Sequence, residues 1–333
     1  MLKPELQSQI ETAAAILRKG GVVAIPTETV YGLAADASNP VAVKRIFEIK
    51  GRPTDHPLIV HIADESQLGH WAREVPRSAK LLARQFWPGP LTLILPRSQQ
   101  VPDIITGTQD TVGLRIPDHP VALALLRAMG PHGALAAPSA NRYGRISPTT
   151  AAHVREELGA NVDMILDGGP CQVGLESTIV SCIGDTVTIL RPGGIPVAAI
   201  EEVLQHKVAV VDSTTATIRV SGSVLSHYAP VTPLELVASE HLWQRVRELE
   251  AQGLSVATLE WSAPDEVHLT GATLGGITRT TMPANPVAYG QLLYATLRQL
   301  DNMKYDRLVA EAPPQTVEWL AVADRLKRAS HKE

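Results

Sequence analysis

The chain has 333 residues, 44% of them hydrophobic and 19% charged, with a formal net charge of −4. That length supports two domains with cores of their own, and the balanced charge excludes bulk attraction to nucleic acid or an anionic membrane as the basis of function. Cys171 and Cys182 sit at a spacing that fits neither a zinc nor a redox motif, and read as thiols in a reducing compartment.

The N-terminus lacks the apolar run of a signal peptide and no later run has the length of a membrane span, so the expectation is a cytoplasmic protein without a membrane partner. Residues 4–19 predict a helix: Pro4 lies in the first turn, Ile10, Ala13, Ala14 and Leu17 share a face, and Gly20-Gly21 end it. A strand at 22–25 leads into Pro26-Thr27-Glu28-Thr29-Val30-Tyr31-Gly32-Leu33, which sets two hydroxyls and a carboxylate at a strand end, where α/β sheets place ligands. A helix over 40–50, capped by Asn39, runs into Lys50-Gly51-Arg52-Pro53-Thr54-Asp55-His56-Pro57 and a strand at 58–62. Two prolines stiffen that loop, and a stiff loop presenting Lys and Arg suits phosphate or carboxylate. His56 and His61 find no third ligand at metal spacing.

Further on, a helix at 77–86, a strand at 91–95 and a strand at 111–116 are predicted. Arg115 interrupts the apolar strand, which is costly unless an internal carboxylate or a ligand carboxylate pairs with it. A helix at 120–129 and a short strand at 134–137 precede Pro138-Ser139-Ala140-Asn141, whose small residues let a ligand near the backbone. A helix at 148–158 with Ser147 as cap, strands at 163–166, 177–181 and 186–190, and a hairpin through Gly184-Asp185 complete a mixed sheet. Residues 207–232 lack helical periodicity and read as an arm. A second α/β pattern follows, with strands at 234–237, 255–259 and 307–310 and helices at 240–251, 286–302 and 316–328. The expected domains are 1–206, an arm or lid at 207–232, and 233–333.

The ordered set PTETVYGLAADA, KGRPTDHPLIVHI, FWPGPLTLIL, TVGLRIPDHP, AAPSANRYGRISPT, GLESTIV and LRPGGI resembles the Sua5/YrdC family of threonylcarbamoyl-AMP synthases. With SGSVLSHYAP and the second α/β segment it resembles the two-domain Sua5 type. The resemblance implies an N-terminal YrdC-like domain with a twisted mixed sheet, a linker arm and a smaller Rossmann-like C-terminal domain. It implies a nucleotidyltransferase that makes threonylcarbamoyl-AMP and pyrophosphate from L-threonine, bicarbonate and ATP. That product serves the modification of adenosine 37 in tRNAs reading ANN codons. The implied threonine site is Thr29, His61, Arg115, Ala137 through its backbone, and Ser177. The implied ATP site is Lys50, Arg52, His56, Thr111, Ser139, Ser147, Arg191 and Tyr228, with Lys50 and Arg52 catalytic. Mg2+ would come with ATP, with no protein ligand assigned. Downstream partners would be tRNA threonylcarbamoyl-transfer proteins, with a weak tRNA contact besides. The alternative is an RNA-binding module of the same fold without adenylation activity, against which the neutral charge and the scarcity of interleaved aromatics argue.

Overall fold

The computed structural model describes residues 3–184, 186–211, 217–222, 228–261, 273–274 and 277–331. They divide into two units, Met1–Tyr143 with Ser147–Ser223, and Gly144–Ile146 with Val224–Glu333. The parts of the expected arm at 212–216 and 223–227, and Asp185 of the hairpin turn, lie outside the described residues.

The first unit is built on a mixed sheet. Its strands are β1 (Val23–Ile25), β2 (Gly32–Asp36), β3 (Ile59–His61), β4 (Leu91–Pro96), β5 (Thr111–Arg115), β6 (Leu135–Ala136), β7 (Met164–Ile165), β8 (Thr178–Ile183), β9 (Thr186–Arg191) and β10 (Ala209–Val210). They lie in the order β10-β9-β8-β4-β5-β3-β6-β2-β1-β7. β3 and β5 run parallel with His61 opposite Arg115, so both strands end at the same edge of the sheet. β4 and β8 are also parallel, with Leu91 opposite Thr178.

The helix Pro4–Arg18 forms as its spacing predicts. Ile10, Ala13, Ala14 and Leu17 are buried with Val121, Leu125 and Leu126 of the helix Pro120–Ala128, over Val23, Ile25, Ala34 and Leu135. Each fully buried Ile or Leu there contributes about 1.5–3 kcal/mol. The helix Pro40–Lys50 is fixed at both ends. Asn39 Oδ1 accepts from Val41 N at 3.1 Å and Ala42 N at 3.2 Å, and Gly51 closes it at φ +63°, where a side chain would be strained. This pins Lys50 in the last turn with only 3% of its surface exposed.

Some elements differ from expectation. The helix expected from residue 148 begins at Ala151, capped by Thr150, whose hydroxyl accepts from His153 N at 3.2 Å. Ser147 does not cap it; its hydroxyl donates to Glu176 Oε1 at 2.7 Å. The strand β2, the helix Val197–Leu204 and the two-residue strand β10 were not predicted. Within the arm, Ile218 and Val220 pack on Ile59, Ile94, Ile179 and Leu190 of the sheet.

The second unit carries β11 (Leu234–Val237), β12 (Val256–Trp261), β13 (Thr273–Leu274), β14 (Ile277–Met282) and β15 (Arg307–Glu311), in the order β11-β15-β12-β14-β13. All neighbours are parallel except β13 and β14, which gives a Rossmann-like layer with helices Leu242–Ala251, Pro286–Asn302 and Leu320–Ala329. Its core includes Leu242, Val246, Leu249, Val256 and Val309. The unit also holds Gly144–Ile146: Ala229 N donates to Gly144 O at 2.9 Å, Arg145 pairs with Asp301 at 3.4 Å, and Arg298 donates to Ile146 O. Among the described residues no helix is long and apolar enough to cross a membrane.

Candidate active site

Among the described residues of the first unit, every buried Lys, Arg and Glu lies on one of the motifs read from the sequence: Glu28, Lys50, Arg52, Arg115, Glu176 and Arg191. Four buried cations face two buried carboxylates. Burying charge is expensive unless it is compensated, and the bonds of Arg115 and Lys50 show how two of these cations are held.

Arg115 is the centre of the first group. Its Nε donates to Gly89 O at 3.3 Å, its Nη1 to Thr29 Oγ1 at 3.0 Å and its Nη2 to Glu28 Oε1 at 2.5 Å. The internal carboxylate that its burial demands is therefore Glu28. A guanidinium has five N–H groups; among the described residues three are used, which leaves one on each terminal nitrogen. That pair suits the two oxygens of a carboxylate. Thr29 is itself fixed. Thr27 Oγ1 donates to Val30 O at 2.6 Å, so in its 2.8 Å contact with Thr29 the proton comes from Thr29. His61, across the β3–β5 register, is held neutral: burial first, and Arg115 second, push its pKa down to about 3.

Lys50 and Arg52 define the second group. Lys50 Nζ donates to Ser139 O at 2.6 Å and Asn141 O at 2.5 Å, which leaves one ammonium hydrogen and ties the Pro138–Asn141 turn to the helix end. Burial, and then the nearby Arg52, hold the Lys50 pKa well below its ordinary value. Arg52 Nη2 donates to Pro57 O at 3.1 Å, so the stiff loop orients its own cation. His56 stands edge-on to Tyr143, with ring centroids 5.6 Å apart, and burial followed by Arg52 lowers its pKa.

Arg191 links the third group. Its Nη2 donates to Ser177 O at 2.7 Å and its Nη1 to Ser221 O of the arm at 2.7 Å. Ser177 Oγ lies 2.7 Å from Thr92 Oγ1. Gly193 lets the turn after Arg191 press against this strand, since a Cβ there would come within 2.3 Å of Glu176 O. The arm is pinned by paired bonds: Gln109 Nε2 donates to Arg219 O at 3.0 Å, and Arg219 N donates to Gln109 Oε1 at 2.7 Å. Between Leu58, Ile94, Thr111, Arg219 and Ser221 it leaves a cavity of about 10 Å³, room for about one water.

The structure thus gathers Thr29, His61 and Arg115 in one group, Lys50 with the Ser139 turn in a second, and Ser177 with Arg191 in a third. Ala137 lies beside β3, its N–H donating to Ile59 O at 3.1 Å. Tyr228 lies in the second unit, where its ring stacks on Tyr294 at 5.6 Å and Arg325 sits 5.1 Å above it. Sequence reasoning noted the Glu28 carboxylate at its strand end but gave no binding role to Glu28, Thr92 or Glu176, although each lies inside a quoted motif. Cys171 and Cys182 are buried and form no disulfide, and burial raises their pKa values to about 12 and about 11, so neither is an activated nucleophile.

His61 has a consequence for stability. An unfolded imidazole protonates near pH 6.5, whereas the folded one resists until about pH 3. The unfolded state therefore binds the proton first as pH falls. His61 contributes stability that is fully present above about pH 6.5 and is lost on acidification at up to about 1.4 kcal/mol per pH unit. Urea unfolding at pH 7, 6 and 5 should show a shallower loss for His61→Gln than for the wild type. Parallel losses would disprove the assignment.

Fixed, buried cations and donors of this kind suit an enzyme of the nucleotidyl-transfer type. The profile of the Sua5/YciO/YrdC family, described as telomere recombination, matches residues 15–193, and that of the threonylcarbamoyl-AMP synthase C-terminal domain matches residues 195–331. The chain belongs to the Sua5/YciO/YrdC family, in its two-domain threonylcarbamoyl-AMP synthase branch. The Pyrococcus abyssi threonylcarbamoyl-AMP synthase is 40% identical over 97% of this chain and 94% of its own length. The Bacillus subtilis enzyme of that name is 43% identical, covering 97% and 93%. The crystal structure of P. abyssi Sua5 complexed with L-threonine superposes with a TM-score of 0.88 at 37% identity, over 97% of this chain and 94% of that one. The RNA-binding alternative is not favoured, because relatives that match across both units are named synthases.

Proposed function

We propose that the protein condenses L-threonine, bicarbonate and ATP to threonylcarbamoyl-AMP and pyrophosphate, and passes the product to proteins that modify adenosine 37 of tRNA. The observation that carries this reading is the division of buried charge. Arg115 keeps two N–H groups for an amino-acid carboxylate beside Thr29 and His61. Lys50, Arg52 and Arg191 supply separate cationic points for phosphate, with His56, Ser139 and Ser147 on the adjoining loops and Thr111 at the start of β5. Positioned cations and donors suit attack of a carbamate oxygen on an α-phosphate, where negative charge builds without a covalent enzyme intermediate.

Magnesium would enter on the triphosphate and neutralise it. The arm bears on nucleotide entry. With Arg219–Ser221 seated over Thr111 and so little space beneath, a nucleotide reaching Thr111 has to shift that segment, which then excludes water on reclosing.

The test is to incubate the full-length protein with ATP, Mg2+, bicarbonate and each amino acid in turn, and to measure pyrophosphate. Release with threonine alone is expected. Release that ignores the amino acid, or none at all, would overturn the reading.

A further inference from the structure

Glu28 has an unfinished bonding pattern. It is 3% exposed, and its Oε1 accepts from Arg115 Nη2. Its Oε2 is buried and has no hydrogen-bond partner among the described residues. His61 Nδ1, on the strand beside Arg115, is in the same condition. Nearly all buried polar atoms in folded proteins are bonded, and an orphan acceptor carries a desolvation cost that a donor relieves. A carboxylate oxygen beside an arginine that retains two free N–H groups therefore asks for one ligand with two features. It should carry a carboxylate for Arg115, and an N–H donor one carbon away for Glu28. An α-amino acid has both.

Resting on the synthase reading above, we propose that Glu28 is a catalytic residue that binds the α-amino group of the substrate and removes its proton as the carbamate forms. The step balances. The substrate ammonium and bicarbonate yield the N-carboxylate, one water and one proton. The nitrogen lone pair makes the new N–C bond, a C–O bond of bicarbonate breaks to release water, and the proton ends on Glu28 Oε2. Thr29 and Arg115 hold the carboxylate end still while this happens, and neutral His61 adds no competing positive charge beside the ammonium.

The proposal is read from binding, which separates it from the fate of the ATP reaction. The full-length wild type is titrated calorimetrically with L-threonine and with the 2,3-dihydroxybutanoate of matching configuration, in which a hydroxyl replaces the amine. Threonine should bind on the order of a hundredfold tighter, the scale of one charge-assisted hydrogen bond in a buried site. Glu28→Gln should lower threonine affinity by a similar factor and leave the hydroxy acid nearly unchanged. Equal affinities in the wild type overturn the proposal, whether or not the variant folds. An equal loss of both ligands in Glu28→Gln also overturns it, because Glu28 would then only position Arg115. Wild-type discrimination without threonine-dependent pyrophosphate release would sink the synthase reading and leave amine recognition standing.

Discussion

Arg115→Ala is expected to abolish threonine-dependent pyrophosphate release and to destabilise the first unit by about 3–5 kcal/mol, the cost of leaving a buried charge without its partner. The two losses have different origins. The stability loss comes from Glu28, whose carboxylate is stranded when Arg115 Nη2 is removed. The activity loss comes from the two N–H groups that find no acceptor among the described residues. A double variant separates them. Arg115→Met combined with Glu28→Gln removes both charges and should recover most of the stability, since apolar or neutral replacements of a buried pair are often tolerated. It should recover none of the threonine binding. Arg115→Lys should fall between, because a point charge cannot reach Gly89 O, Thr29 Oγ1 and Glu28 at once. Denaturant unfolding reads the first quantity and calorimetry the second. Threonine binding by Arg115→Ala at wild-type strength would remove this residue from the site.

The sequence was most legible where local chemistry sets structure. Asn39-Pro40 announced a helix start, because a cap needs nothing beyond its neighbours. Arg115 announced a buried charge, because a cation in an apolar strand must find a partner. Which partner it finds is a tertiary fact: Glu28 lies far off in the chain and reaches it only through the fold. β2 was missed since Gly32-Leu33-Ala34-Ala35-Asp36 has no β-branched residue. It is a strand because it is sandwiched between β1 and β6. Ser147 looked like a cap by position, but its bond to Glu176 leaves that role to Thr150. The site residues on rigid loops were named from motifs. The carboxylates that complete them were not, because an acid in a turn has many ordinary uses.

Lys50 offers the opposite balance of stability and function from Arg115. No ion pair holds it among the described residues; its partners are the carbonyls of Ser139 and Asn141. Its charge is buried at a desolvation cost large enough to depress its own pKa. Lys50→Met fills a similar volume and removes that cost, while two carbonyls lose a donor worth roughly 1–3 kcal/mol each at most. These effects oppose each other, so unfolding free energy should stay within about 2 kcal/mol of the wild type. Activity should not survive. The ammonium fixes the Pro138–Asn141 turn and keeps one hydrogen for the substrate phosphates, so its loss should lower kcat/KM for ATP by roughly 2–4 kcal/mol, on the order of a hundredfold or more. Threonine affinity measured without nucleotide should change little, since Arg115, Thr29 and His61 do not depend on Lys50 for a bond. Glu157 offsets only part of that cost, since burial and Arg52 outweigh it, and a cation retained at a net desolvation cost points to a functional use. Unchanged kcat/KM for ATP in Lys50→Met would show that the charge serves the turn alone.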